Sequence, residues 1–265
     1  MDQKPLPPDL YDHDYYVKSL PGMEQAENPD LIDEAGTHII AKGYVRAGQY
    51  VLDFGCGRGT CLVKLALNGA SGIGIDHSPH AIEFAQQYTK RYSEITDRIV
   101  FLCSDAARFH YEHMFDVIIF NQIYEHLHDW ELTALFDKFK KALKPGGSLV
   151  ISTPNLDYIR RLFPIKRVLN LPGKIIKESL RVLRGKSRHA ESFAKFMKEI
   201  FKIRYPKSEH DRLHINLQTP RSIKNFVEQQ GFRVRLECVD AHRDPATLLT
   251  RSFWGETLWL YCVKS

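Results

Sequence analysis

The chain of 265 residues is predicted to fold as an α/β protein around a seven-stranded, mostly parallel sheet with helices on both faces. Three observations predict this. Short apolar runs alternate with stretches of helical periodicity up to about residue 153, the pattern of crossover units on a parallel sheet. The first run passes directly into a glycine loop and then a helix, in Val51-Leu52-Asp53-Phe54-Gly55-Cys56-Gly57-Arg58-Gly59-Thr60. Each of the first three runs ends in or just before an acid: Asp53, Asp76 and Asp105.

Residues 1–34 read as a leader of loop and helix carrying Tyr11, Tyr15 and Tyr16, and residues 35–47 as a helix entering the first strand. Tyr50 to Phe54 is a short buried strand. Gly55, Gly57 and Gly59 let the backbone turn sharply and approach a ligand closely, because no Cβ intervenes. Leu62, Val63, Leu65, Ala66 and Leu67 follow at helical spacing. Strand, loop and helix make a nucleotide-type pocket at the carboxyl end of a parallel strand, which implies an adenosine-containing cofactor. A dinucleotide fingerprint wants Gly-x-Gly-x-x-Gly or Ala. Here the spacing is Gly-x-Gly-x-Gly with Thr60 next, and the Asp53 carboxylate would repel a pyrophosphate and attract an amino group.

Gly72 to Asp76 is the second run, and an acid at its end commonly accepts hydrogen bonds from ribose hydroxyls. Ile99 to Leu102 reads as another buried strand, and Asp105 beyond it suits an exocyclic adenine amine. Each acid alone could equally be a helix N-cap; three in succession point to a ligand. Lys144-Pro145-Gly146-Gly147 is a turn that stops the helix 131–143 and launches the strand 148–153. Residues 233–239 and 257–263 complete the sheet, with a turn at Arg243-Asp244-Pro245 between them.

The residues resemble the class I S-adenosylmethionine (SAM)-dependent methyltransferases. The matching blocks are VLDFGCGRGT at 51–60, GIGIDHSP at 72–79, CSDAARF at 103–109, FDVIIFNQIYEHLHD at 115–129 and LKPGGSLVISTPN at 143–155. They cover about residues 44–155 in the family's order, and TPRSIKNFVEQQGF at 219–232 resembles its closing helix and strand. The resemblance implies a Rossmann-like core and SAM as cofactor. It places Asp53, Gly55 and Gly57 around the methionine moiety, Asp76 on the ribose, and Asp105 with Ala106 around the adenine. Cys56, Gly59 and His77 join the cofactor-binding set, and Asn121 lines the path to the reacting methyl group. The general layout resembles small-molecule enzymes such as those of quinone and sugar modification, in a branch similar to the ubiquinone-biosynthesis O-methyltransferases.

Methyl transfer to a hydroxyl releases a proton, and His is the commonest base at neutral pH. His126, in Glu125-His126-Leu127-His128-Asp129 after the fourth strand, is the first candidate; a scaffolding role is the alternative. His214, where the chain re-enters the core, is the second, as base or substrate contact. The block also resembles a Glu-x-x-Glu-His element whose acids and His hold a divalent ion in ubiquinone-biosynthesis and small-RNA methyltransferases. The matching positions read Gln122-Ile123-Tyr124-Glu125-His126. Gln122 removes one anionic ligand, and oxygen-preferring ions favour carboxylates, so no tight metal site is expected.

Residues 35–155 thus form the cofactor-binding core, 1–34 a cap, 156–210 an insertion, and 211–265 the end of the core. The insertion holds fifteen Lys and Arg against five Asp and Glu, whereas the remainder holds 22 against 27, so the net charge of +5 comes from this segment. It carries Ile176, Leu180 and Leu183, then Phe193, Phe196, Met197, Ile200 and Phe201, at helical spacing. Three readings compete: a helical lid, docking on an anionic membrane, and an RNA-binding face. Few aromatics lie outside the apolar stripe, which disfavours base stacking and hence nucleic acid.

The leading expectation is a methyltransferase acting on a small-molecule acceptor, at a hydroxyl of a lipid-linked or anionic metabolite. An RNA methyltransferase and a catalytically silent SAM-binding scaffold are the alternatives, and an NAD oxidoreductase is the cofactor alternative. The five cysteines, with no Cys-x-x-Cys pair, read as reduced thiols, mostly in buried strands. No signal stretch or membrane span is evident, so a cytoplasmic location, with peripheral contact at the inner membrane surface, is expected. The oligomeric state is left open.

Overall fold

In the computed structural model the chain is described at residues 4–7, 10–11, 34–105, 108–169, 172–173, 175–176, 180, 213–239 and 255–264. Seven strands form one sheet: β1 (Tyr50–Phe54), β2 (Ser71–Asp76), β3 (Ile99–Cys103), β4 (Phe115–Asn121), β5 (Leu143–Pro154), β6 (Phe232–Val239) and β7 (Thr257–Lys264). Their order is β3-β2-β1-β4-β5-β7-β6. The first five are mutually parallel, and β7 runs antiparallel to both β5 and β6. Order reverses between β1 and β4, which puts a ligand crevice beyond the carboxyl ends of these strands.

The described residues also form the helices α1 (Glu34–Ala41), α2 (Thr60–Leu67), α3 (Pro79–Thr89), α4 (Asp129–Ala142), α5 (Phe163–Leu169) and α6 (Pro220–Gln229). The period of two along the strands sorts their side chains into two cores. Ile118 and Phe120 of β4 face Leu132, Phe136 and Phe139 of α4 and Ile223 and Val227 of α6. Val117 and Ile119 face the opposite layer, with Leu62, Leu65 and Ala66 of α2 and Ile82 and Ala85 of α3. Helices therefore cover both faces, as the sequence predicts.

Three boundaries depart from the sequence reading. The helix expected over 35–47 stops at Ala41, because Gly43 adopts φ +66° and the chain turns. The run at 99–103 is only half buried: β3 is an edge strand, so Val100 is 55% exposed while Ile99 and Phe101 are buried. The Lys144–Gly147 turn lies inside β5 as an irregularity, where the β4 register jumps from Phe115↔Leu143 to Val117↔Ser148. The expected turn at 243–245 lies outside the described residues.

All five cysteines are free thiols; four are buried, and Cys103 on the edge strand is exposed. The start of the insertion is helical, with a π-helical turn at Tyr158–Leu162 leading into α5. Ile165, Val168, Ile175, Ile176 and Leu180 there are exposed. Leu183 and the Phe193–Phe201 stripe lie outside the described residues.

Candidate active site

The glycine loop is stitched to the end of β2. The N–H groups of Gly55 and Cys56 both donate to the Ile75 carbonyl, at 2.7 and 3.0 Å. Gly57 N–H donates to Asp76 Oδ2 at 2.9 Å, and Ser78 N–H donates to Asp76 Oδ1 at 2.9 Å. Asp76 thus fixes the loop from one side and the N-cap of α3 from the other. His77 Nδ1 lies 3.7 Å from Asp76 Oδ1. Asp53 is buried at the β1 exit, between Gly74 of β2 and Ile119 of β4.

The three loop glycines do different work. At Gly57, with φ +51°, a Cβ would meet no atom within 4 Å, so this position opens onto the crevice. At Gly59 a Cβ would lie 2.6 Å from the Phe101 ring and 2.8 Å from Ala85. Gly59 serves close packing of α2, and Gly55 is likewise crowded by the Ile123 side chain. Cys56 is buried, with its thiol pushed well up by burial and by the Asp76 and Asp53 charges. Asp105 is exposed, and its Oδ1 accepts from Arg108 N–H at 2.8 Å, so it holds a turn. Ala106 lies outside the described residues.

Beyond β4 the backbone takes an uncommon path: Gln122 has φ +55°. Its side-chain amide donates to Ser152 Oγ at 3.1 Å, and the Ser152 hydroxyl donates to Asn121 Oδ1. Asn121 thus stands at the strand end, held by β5. A 3-10 turn, Tyr124–His126, then buries Glu125 at 1% exposure and His126 at 6%. Thr153 donates its hydroxyl to Glu125 Oε2 at 2.9 Å, while buried Oε1 has no hydrogen-bond partner among the described residues. Burial pushes the Glu125 carboxyl up to about 8.

The re-entering segment packs beside this turn. Asn216 N–H donates to the Glu125 carbonyl at 2.9 Å, and the Asn216 side chain reaches Leu127 O and Asp129 Oδ1, both at 2.9 Å. His126 Nδ1 lies 3.2 Å from the Leu213 carbonyl. A carbonyl only accepts, so Nδ1 carries a proton, and in the neutral tautomer the lone pair sits on Nε2. The His126 and His214 rings meet edge to face at 5.0 Å. Ligand atoms of Glu125, His126 and His214 lie within 4.8 Å of one another.

The sequence picks out His126 and His214 separately as bases; the structure brings them together with Glu125 into one cluster. No sequence signal joins them, because 87 residues separate His126 from Leu213, whose carbonyl orients it. Tyr11 is a second residue that sequence reasoning missed: its ring stands 5.0 Å from His77 and 6.0 Å from His126.

The methyltransferase-domain family model matches residues 24–237. The chain belongs to this family of class I, SAM-dependent methyltransferases. Among curated relatives, the methyltransferase is similar to the mitochondrial ubiquinone biosynthesis O-methyltransferase of Schizosaccharomyces pombe. Identity is 31% over 129 residues, 49% of this chain and 46% of the relative. The ubiquinone biosynthesis O-methyltransferase of Coxiella burnetii is 30% identical over 140 residues, 51% and 56% of the two chains. The chain thus spans about half the length of the curated relatives it matches. Two solved structures share the fold. A SAM-dependent methyltransferase from Aquifex aeolicus aligns over 96% of this chain and 99% of its own, with TM-score 0.59 and 12% identity. Magnesium protoporphyrin IX methyltransferase from Synechocystis, solved with bound SAM, aligns over 99% and 100%, with TM-score 0.55 and 15% identity.

The residues present fit SAM. The Gly57 opening leaves room for a ligand beside the loop, and the buried Asp53 and Asp76 line an anionic crevice suited to a sulfonium and an amino group. They do not fit a hard divalent ion. One carboxylate and two imidazoles are a poor set for magnesium, and the Gln122 side chain turns to Ser152.

Proposed function

We propose that the methyltransferase moves a methyl group from SAM to a hydroxyl oxygen of a small-molecule acceptor. The observation that carries this reading is the cluster of buried Glu125 and His126 with half-buried His214 beside the exit of β4, next to the crevice where β1 and Asp53 end. SAM supplies an electrophilic methyl on its sulfonium. The Asp53 carboxylate receives the amino group, and Asp76 takes the ribose hydroxyls while holding Gly57 and Ser78. Asn121 borders the path between crevice and cluster. As the acceptor oxygen bonds to the methyl carbon, the carbon–sulfur bond breaks and its electron pair stays on sulfur. His126 Nε2 takes the acceptor's proton, since Leu213 keeps the other nitrogen protonated. His214, packed on the His126 ring, contacts the acceptor from the re-entering segment. The residues' main contribution is alignment.

A lipid-linked acceptor and contact with an anionic membrane surface are part of this reading. Ile165, Val168, Ile175, Ile176 and Leu180 are exposed aliphatics in the basic segment, beside Arg160 and Arg161. Apolar side chains flanked by basic ones suit the interface of anionic lipid. Among the described residues no helix is long and apolar enough to cross a membrane.

Calorimetric titration with SAM and with NAD tests the cofactor. Micromolar SAM binding that is lost in Gly57→Arg supports the proposal; NAD binding without SAM binding refutes it. Mass spectrometry of metabolites that accumulate when the protein is inactivated then identifies the acceptor.

A further inference from the structure

The Tyr11 ring meets, edge to face, two histidines that follow different strands. Its centroid lies 5.0 Å from His77 at an interplanar angle of 87°, and 6.0 Å from His126 at 81°. His77 follows β2 and His126 follows β4, and β1 runs between those strands. Neighbouring strands are about 4.8 Å apart, so β2 and β4 are separated by roughly 10 Å. A ring in reach of both histidines therefore spans the exit of β1, above the start of the glycine loop.

Two tethers hold this part of the chain in place. The Ser78 hydroxyl donates to the Tyr11 carbonyl at 3.0 Å, and His128 Nε2 meets the Lys4 carbonyl at 3.0 Å. Ser78 and His128 are the N-caps of α3 and α4, the helices that follow β2 and β4. Lys4 and Tyr11 are thus held on opposite sides of the crevice. Burial, with smaller contributions from Glu125, Asp76 and Glu131, pushes the Tyr11 phenol up, so it stays protonated. Such a phenol is a hydrogen-bond donor.

We propose that Tyr11 is a positioning residue of the cofactor site, roofing the β1 exit and bracing His77 and His126 on either side of the bound methyl donor. This rests on reading the crevice as the SAM site. The ring excludes water above the sulfonium and keeps His126 aligned with the methyl path. Tyr11 is thereby a working part of the site.

The test compares the full chain as wild type, Tyr11→Phe and Tyr11→Ala. SAM affinity is measured by calorimetry, and melting is measured without ligand. A ring roof predicts that Tyr11→Ala binds SAM about tenfold or more weakly, through lost ring contacts and admitted water. Tyr11→Phe, which keeps the ring, should stay within about threefold of wild type. Ligand-free melting should be equal in all three. If wild type binds SAM and Tyr11→Ala binds it equally or more tightly, the roof is wrong and the cofactor assignment stands. If affinity falls only together with ligand-free melting, and Phe does not restore it, Tyr11 is a folding residue and the proposal fails. If wild type binds no SAM, the methyltransferase reading falls and takes the roof with it.

Discussion

The Thr153 hydroxyl donates to Glu125 Oε2 at 2.9 Å, tying the end of β5 to a carboxyl that is 1% exposed. Burial outweighs the hydrogen bonds from the Glu125 backbone and from Thr153, raising the carboxyl from 4.5 to about 8.

The folded state therefore holds a proton on Glu125 that the unfolded chain loses above about 4.5. Between these two values the folded state binds more protons, so stability falls as pH rises and levels off above about 8. The full effect is at most about 5 kcal/mol. In metal-free buffer, Glu125→Gln should remove this slope. Its melting advantage over wild type should grow from about pH 5 to pH 8, by thermal unfolding at each pH. Parallel curves for the two proteins would show that Glu125 is ionised in the fold.

The loop glycines separate binding from packing. Gly57→Ala carries only left-handed backbone strain, about 1–2 kcal/mol, because no atom lies near the new Cβ. Gly59→Ala carries similar strain and forces Phe101 and Ala85 apart, adding about 1–3 kcal/mol. Melting should drop further in Gly59→Ala, whereas SAM affinity measured on folded protein should drop further in Gly57→Ala. The reverse order would place the ligand against Gly59.

Much of this was legible in the chain. The alternation of apolar runs and helices predicts the sheet, and the glycine loop with Asp53 and Asp76 predicts the crevice. Burial along β3 was misjudged, because an apolar run of five residues reads alike on an edge and in the centre. Asp105 accepts from Arg108 N–H, a turn contact that the sequence pattern does not record. The Glu125–His126–His214 cluster and the Tyr11 roof arise from contacts across 87 and more than 100 residues, which no periodicity records.

Independence of magnesium is expected, because one carboxylate with two imidazoles suits a hard ion poorly. Activity on an identified acceptor should survive EDTA, because Gln122 faces Ser152 and Glu125 is the one carboxylate of the cluster. Loss restored by a transition metal, together with metal retained by wild type and absent from His214→Ala in elemental analysis, would assign the cluster to an ion instead.

Membrane contact has its own signature. Sedimentation with anionic vesicles should fall when Ile175, Ile176 and Leu180 are changed to Ser. These side chains are already exposed, so melting should move by no more than about 0.5 kcal/mol in equivalent stability. Binding should also weaken as salt rises. A large drop in melting would show that the aliphatics are covered by the rest of the chain.

The last strand in sequence, β7, is an interior strand, seated between β5 and β6. During synthesis β6 emerges with no partner, since its ladder along β7 waits for residues 257–264. The parallel half of the sheet can assemble while translation continues, but the far edge closes only when β7 has left the ribosome. A nascent chain stalled before residue 257 would display the β5 edge unpaired, an adhesive surface for other chains and for chaperones.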